Sequence, residues 1–490
     1  MTDAAPHDHE VAIIGTGFSG LCLAIKLQEA GIRDYVIFEK AADVGGVWRD
    51  NTYPGCACDI PSHLYSFSFE LNADWTRLYP TQPELRAYLN HCADKYGLRE
   101  HIRFNAEVTS ADFDEGTGSW TVRTADGQSV RARALANGAG ALSRPGLPDI
   151  PGVERFEGAK FHSMRWDHAC DLTNKRVAVI GTGASAIQFV PQIQPKVAKL
   201  HLFQRTPPWI LPKRNPRVPP WMKRTFRLVP WAQTLFRAML YWLHEFAALN
   251  FLNKHRHRRI GEEAALEHLR VVVQDEKLRA ALTPSYLMGC KRVLLSNDYL
   301  PALTQDNVEL VTDGVAEITE RGVRTRDGVE REVDAIVFGT GFHATDFVGS
   351  LRIRGLGGRE LSQEWSVAAP TYLGVMVEGF PNYFMITGPN TGLGHNSMVF
   401  MIEAQVHYIV KFLKKLRAQK LRYMDVLRRA QDAFVEYVQT RMQETVWVSG
   451  CKSWYLSPDG RNFTLWPAFT FQYWWRMRRV RLADFRRVSS

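Results

Sequence analysis

The chain opens its ordered pattern with a short, unbroken apolar run, Val11-Ala12-Ile13-Ile14, which predicts a strand buried on both faces. A glycine-rich turn follows. Residues 21–30 then take up helical periodicity and stop at Gly31, where a left-handed C-cap is expected. A second apolar run, Tyr35 to Phe38, ends in an acid, Glu39. The same order returns at Val177-Ala178-Val179-Ile180: glycine turn, helix, then a strand over 199–204. From 212 to about 283 the strand–helix alternation gives way to prolines (Pro212, Pro216, Pro219, Pro220, Pro230) and long helical stretches. Trp221, Phe226, Trp231, Phe236, Trp242, Phe246 and Phe251 make this insert aromatic, with Lys223, Arg224, Arg227 and Arg237 between them. Its longest apolar stretch, 235–252, carries Arg237, His244 and Glu245, so it predicts a buried or half-buried helix and not a membrane span. The insert is expected to be a cap that packs its aromatics inward; the other reading is a peripheral membrane patch that collects lipophilic substrate.

The two repeated turns are dinucleotide fingerprints. In the first, Gly15-Thr16-Gly17-Phe18-Ser19-Gly20, one glycine permits the tight turn, the next admits a pyrophosphate, and the third lets helix and strand pack closely. Glu39 stands roughly 20 residues on, the usual distance for gripping a ribose hydroxyl pair. In the second, Gly181-Thr182-Gly183-Ala184-Ser185-Ala186, alanine takes the third place, and the acid position is held by Arg205. A guanidinium there can grip a 2′-phosphate that an acid would repel. The first site is therefore expected to take FAD and the second NADPH over NADH, with Lys291 as a further partner for the phosphate. Two such sites in one chain imply hydride transfer between two cofactors. The fold class is α/β: two Rossmann-like dinucleotide-binding domains, the NADPH domain carrying the helical insert. An FAD domain is expected in two segments, 1–150 and 333–490, around an NADPH domain at 151–332.

The bulk properties narrow this only at the margins. A chain of 490 residues is too long for one core and suggests two or three domains. With 45% hydrophobic and 23% charged residues it is neither disordered nor membrane-spanning. The polar start, Met1 to Glu10, offers no signal peptide, and seven scattered cysteines read as reduced thiols of a cytoplasmic protein. Cys56 and Cys58 lack a second Cys or His pair at zinc-like spacing, so no metal is expected. The net charge of +10 is spread along the chain, with local concentrations at 254–259 and 476–487. It is read as a solvated basic surface suited to a polyanionic cofactor, with no nucleic-acid partner.

Just before the second fingerprint lies Phe156-Glu157-Gly158-Ala159-Lys160-Phe161-His162-Ser163-Met164-Arg165-Trp166-Asp167. It resembles the fingerprint of the Baeyer–Villiger monooxygenases, where relatives that oxidise nitrogen or sulfur have Phe or Tyr in place of Trp166. The resemblance extends through Gly45-Gly46-Val47-Trp48 and Tyr53-Pro54-Gly55-Cys56-Ala57-Cys58-Asp59, with Tyr65 beyond, to Gly339-Thr340-Gly341-Phe342, Phe380-Pro381-Asn382, Gly388 to His395 and Cys451-Lys452-Ser453-Trp454. It thus covers nearly the whole chain, in order. It implies a flavin enzyme in which NADPH reduces FAD, and O2 adds at flavin C4a to give a peroxide that attacks a ketone carbonyl, yielding an ester or lactone. His162 is implied to act at the hinge between the nucleotide domains.

The resemblance also picks residues that the pattern alone does not. Arg292, in Gly289-Cys290-Lys291-Arg292, matches the family's active-site arginine, and Asp59 matches the carboxylate that orients it. Val47, Trp48, Tyr65, Val108, Thr206 and Trp454 complete the implied cofactor contacts. Two departures stand out. Asn137-Gly138-Ala139-Gly140 replaces the usual Ala-Thr-Gly, and Tyr455-Leu456-Ser457-Pro458-Asp459-Gly460 replaces the Asn-Ile-Pro-Gly ending of many cyclic-ketone enzymes. The second leaves the ketone class open. The alternatives to weigh are a heteroatom (S or N) oxygenase and a non-turnover flavoprotein that senses NADPH or leaks peroxide.

Overall fold

The computed structural model describes residues 7–253, 258–451, 453, 455–457 and 459–489. Two main sheets carry the molecule. In the first, strands lie side by side in the order Arg352–Arg354, Val108–Asp114, Ser119–Thr124, Ser129–Asn137, His9–Ile14, Tyr35–Phe38, Ile102–Arg103, with Tyr383–Met385 also pairing with Ser129–Asn137. The apolar run at 11–14 is central to it: His9–Ile14 runs parallel to both Tyr35–Phe38 and Ser129–Asn137. Helix Phe18–Glu29 starts inside the glycine motif, before the expected residue 21, because Ser19 and Gly20 are buried in its first turn. That helix packs on the long helix Met398–Ala418, whose buried Val399, Ile402, Val406 and Ile409 continue the same core.

The second sheet is parallel throughout, in the order Val308–Val311, Lys199–Phe203, Arg176–Ile180, Ala335–Phe338, Ala159–His162. Strand Ala335–Phe338 lies beyond residue 332, so the second sheet runs past the boundary expected there. Its four residues are all buried and it sits between Arg176–Ile180 and Ala159–His162, a central place that no edge of the other sheet offers. An antiparallel meander, Val315–Ile318, Gly322–Thr325 and Glu330–Glu332, leads into it. The two stretches that cross between the sheets run side by side: Gly146 N donates to Gly341 O at 2.8 Å, and Thr340 Oγ1 donates to Gly146 O at 2.6 Å.

The insert is helical, with Pro220–Leu228, Pro230–Ala247, Leu249–Leu252, Arg258–Val272 and Glu276–Leu282. The expectation that its aromatics pack inward is corrected: Trp221, Trp231, Trp242 and Phe246 are exposed, and among the helix-hairpin aromatics it is Phe226 that is buried. Among the described residues no helix is long and apolar enough to cross a membrane. The reading of all cysteines as reduced thiols is also corrected. Cys290 and Cys451 form a disulfide, their Cα atoms 6.2 Å apart across a sequence separation of 161, while Cys22, Cys56, Cys58, Cys92 and Cys170 are free.

Candidate active site and nucleotide sites

The first fingerprint forms a cradle with no room for side chains. Gly15 has φ +94°, and a Cβ on it would lie 2.9 Å from the Gly138 carbonyl oxygen. A Cβ on Gly20 would meet the Gly15 carbonyl at 1.9 Å, so the helix enters closer to the strand than any other residue permits. Gly17, the N-cap of Phe18–Glu29, brings no side chain to cap the helix, which leaves its first N–H groups open to a phosphate. Glu39 is buried beneath this loop, accepting from Thr16 N at 3.1 Å, Thr16 Oγ1 at 2.6 Å and Ala41 N at 3.0 Å, with Arg49 3.0 Å away. Strand Val108–Asp114 begins just after Ala106, whose N–H donates to the Glu39 carbonyl, which places Val108 at the same end of the cradle. Val47 and Trp48 begin a short helix, Val47–Asp50, whose N-cap Gly46 faces Gly17. Trp48 and Tyr65 meet edge to face at 5.7 Å, and burial pushes the Tyr65 phenol well up.

The second loop repeats the device at the mouth of the other sheet. A Cβ on Gly181 would lie 2.4 Å from the Gly339 carbonyl, whereas Gly183 and Ala184 are open to solvent. Ser185 stands at the N-cap of helix Ala186–Ile193 without a side-chain capping bond, and Ala186 is fully buried against Gly339, where only a small residue fits. Thr182 Oγ1 donates to Thr206 O at 3.4 Å, tying the loop to the segment that follows strand Lys199–Phe203. Arg205 is exposed at the end of that strand. Burial, and after it the charge of Arg205, lowers the Lys291 ammonium. Two cations are thus held near each other beside the loop, and among the described residues neither forms an ion pair. Such a pair is costly unless an anion joins it. The open helix ends, the cradles a Cβ would fill and this cation pair all fit two dinucleotides.

Between the loops lies a charged cluster. Arg292 Nε and Nη2 donate to Asp59 Oδ2 at 3.0 and 2.5 Å, both side chains half-buried. Burial works to raise the Asp59 carboxyl, but the charge and hydrogen bonds of Arg292 hold it below the ordinary range. Asp59 in turn raises the guanidinium above its usual value. Arg292 arrives there because the two-residue strands Ile210–Leu211 and Leu294–Leu295 pair in parallel, and because Cys290 is bonded to Cys451. Lys213, just past the first of those strands, donates to Cys58 O at 3.0 Å. Burial lowers it, and Asp59 acts in the opposite sense. Tyr455 is buried beside Arg292, its phenol pushed up to about 12 by burial against the pull of that guanidinium. Trp454 lies outside the described residues.

Gln188, on the helix of the second loop, joins the two halves. Its Oε1 accepts from Tyr53 Oη at 3.0 Å and Ala57 N at 3.3 Å, and its Nε2 donates to Ala57 O at 2.9 Å. The stretch 53–59, which holds Asp59, is therefore fixed to the second nucleotide loop. His162 is buried where the crossing segments meet: Met164 N donates to its Nδ1 at 3.1 Å, and its ring meets Phe342 edge to face at 5.7 Å. Trp166 packs against Phe161 and Phe189, while Asp167 caps a turn through Ala169 N.

Residues 8–349 match the family model described as flavin-binding monooxygenase-like. The chain is 49% identical over 474 residues to a Baeyer–Villiger monooxygenase of Pseudomonas aeruginosa, covering 96% of this chain and 90% of that one. The chain belongs to the Baeyer–Villiger monooxygenases. Its fold agrees: an oxidised steroid monooxygenase bound to NADP superposes with a TM-score of 0.88 at 31% identity, covering 98% of this chain and all of that one. A monooxygenase solved with FAD and NADP, OTEMO, gives a TM-score of 0.88 at 26% identity, with coverage of 98% of this chain and 100% of that one. Like its family, this Baeyer–Villiger monooxygenase is a flavoprotein that works with FAD and NADPH.

Three residues of the cluster escaped the sequence reading. Gln188 follows the second fingerprint, but nothing marks one glutamine of a helix as a bridge. Lys213 sits in the proline-rich start of the insert, where its charge looks like solvated surface. Tyr455 stands within the departure after Trp454, and that departure was the one available signal.

Proposed function

We propose that the enzyme inserts one oxygen atom from O2 beside the carbonyl of a ketone, giving an ester or lactone, with Arg292 and Asp59 at the reacting centre. The observation that carries this reading is the Arg292–Asp59 pair, assembled from separate parts of the chain at the junction of the two nucleotide loops. Bound FAD, once reduced by NADPH, supplies the activation of O2. Arg292 is charged at every working pH, because Asp59 stabilises its cation. A fixed guanidinium of this kind stabilises negative charge as it develops on a carbonyl oxygen. Asp59 orients it and moderates its field, and the charge of Lys213 favours the same carboxylate in its ionised form. Arg205 and Lys291 bind the 2′-phosphate of NADPH, and Gly15, Gly17, Ser19, Gly20 and Glu39 hold FAD with Val47, Trp48, Tyr65 and Val108. The domain division follows the sheets: an FAD unit in two segments around an NADPH unit. We place the protein in the cytoplasm.

The test is incubation of the purified enzyme with NADPH, 18O2 and a panel of ketones and sulfides, with products read by mass spectrometry. One labelled oxygen in an ester or lactone is the expected result. Label found only in sulfoxide would transfer the assignment to heteroatom oxygenation. NADPH consumption with peroxide alone across a broad panel would sink the ketone reading.

A further inference from the structure

Helix Pro230–Ala247 is turned inside out. Its buried residues include Gln233, Arg237 and Glu245, each held by hydrogen bonds. Gln233 donates to His63 Nδ1 and Asn72 O, Arg237 to the carbonyls of His63 and Leu64, and Glu245 accepts from Thr470 N and Asn396 Nδ2. The opposite face carries Trp231, Leu235, Met239, Trp242 and Phe246, a stripe at helical spacing that points to solvent. Trp231 is 67% exposed, Leu235 60% and Phe246 66%. A helix held to its protein by polar groups while it presents tryptophan, leucine and phenylalanine outward has its apolar face arranged for something outside the chain.

The stripe is part of a wider surface. Trp221 and Leu228, on Pro220–Leu228, are exposed beside it. On the other side Trp242 meets Phe471, and Tyr241 and Thr470 hydroxyls lie 3.0 Å apart, so helix Thr470–Met477 adjoins and adds exposed Trp474 and Trp475. The charge on this surface is mostly basic; Asp74 pairs with Arg227 at one margin, and Glu29 and Glu403 line the cleft beside Tyr241 and Trp474. These three helices contain a single acid, the buried Glu245, whereas Arg224, Arg476, Arg478 and Arg479 are exposed. Arg478 lies over the Trp474 ring at 4.7 Å.

We propose that this face seats the enzyme on an anionic lipid bilayer surface. Indole rings favour the headgroup boundary, where one end is apolar and the other wet, and arginines beside them attract anionic headgroups. A second copy of the chain fits worse. In a two-fold dimer the same patch meets itself, which would set its exposed arginines against their own like charges.

The test is co-sedimentation of the full-length, FAD-loaded protein with phosphatidylcholine vesicles, with and without phosphatidylglycerol. The expected result is binding to the anionic vesicles that weakens as salt is raised. Binding should fall on the order of tenfold in a Trp231→Asp/Leu235→Asp/Phe246→Asp variant that keeps its flavin absorbance and NADPH oxidation. Independently of that variant, brominated lipid should quench the tryptophan fluorescence of the unmodified protein. Two results would overturn the proposal. One is a protein that stays in the supernatant with both vesicle types at low salt and shows no quenching. The other is a solution dimer that the triple substitution converts to monomer, without vesicle binding.

Discussion

Arg292 and Arg205 are both arginines beside a nucleotide loop, yet they call for different tests. Arg292 is paired with Asp59, so its loss removes a fixed positive charge and leaves a half-buried carboxylate without its guanidinium. Arg292→Ala is expected to keep FAD bound and reducible by NADPH while ester formation falls at least about 100-fold. Anaerobic flavin bleaching and product analysis, run side by side, separate the two; undiminished ester yield would remove Arg292 from the reacting centre. Arg205 is exposed and, among the described residues, has no acid partner, so its substitution is expected to leave the protein fold alone. Arg205→Ala should raise KM for NADPH on the order of tenfold, about 1.4 kcal/mol, with little change for NADH. An unchanged ratio between the two coenzymes would exclude it from the phosphate site. The residues were not equally legible. Glu39 and Arg205 each end the strand that follows their own glycine loop, so short-range order exposes them. Arg292 lies 233 positions from Asp59, and no local pattern distinguishes it among the chain's arginines.

At the scale of elements, strand Leu421–Val426 holds an acid in an apolar setting. Asp425 is buried, and burial raises its carboxyl to about 6, although Gly379 N donates to it at 2.9 Å and Arg486 stands 3.5 Å away. A native value above the unfolded one, about 3.9, means that this group favours the fold when protonated. Its contribution is fully present below about pH 4 and is lost as pH rises through about 6. Asp425→Asn, which keeps an acceptor for Gly379 N–H and does not titrate, should therefore gain stability relative to the parent across that interval. The expected gain is on the order of 1–3 kcal/mol at neutral pH, vanishing near pH 4. Thermal unfolding of both proteins at about pH 4 and pH 8 measures it, and an equal gap at the two values would refute the titration. The helices teach a different lesson. The stretch 235–252 predicts a buried or half-buried helix, but its composition does not say which face turns inward. Here Gln233, Arg237 and Glu245 find partners inside, so the polar face won the interior and the aromatic one was left outside.

Across the whole molecule, the site depends on contacts between distant segments. Gln188 ties residues 53–57 to the second nucleotide loop, and the Cys290–Cys451 disulfide ties the Arg292 segment to the stretch before Tyr455. Thiol titration of the denatured, unreduced protein should find five thiols, and seven after reduction. Because the bridge closes a separation of 161 residues, reduction should also lower the melting temperature, the loss amounting to no more than about 5 kcal/mol. Seven thiols before reduction would show that the bridge does not form. The disulfide also removes one support for a cytoplasmic location, the reading of every cysteine as a reduced thiol.

What the sequence determined by itself was local: two strand–glycine–helix–strand units, the acid and the arginine that end them, and a helical insert after the second. Each follows from steric or hydrogen-bonding demands that neighbouring residues satisfy, as the 1.9 Å approach at Gly20 makes plain. The tertiary structure alone decided which strand entered the interior of the second sheet, which way the aromatic helix faced, which two cysteines met and which cations came near Asp59. Those outcomes depend on partners far apart in the chain. Burial and pairing are properties of the assembled interior, so no window of sequence contains them.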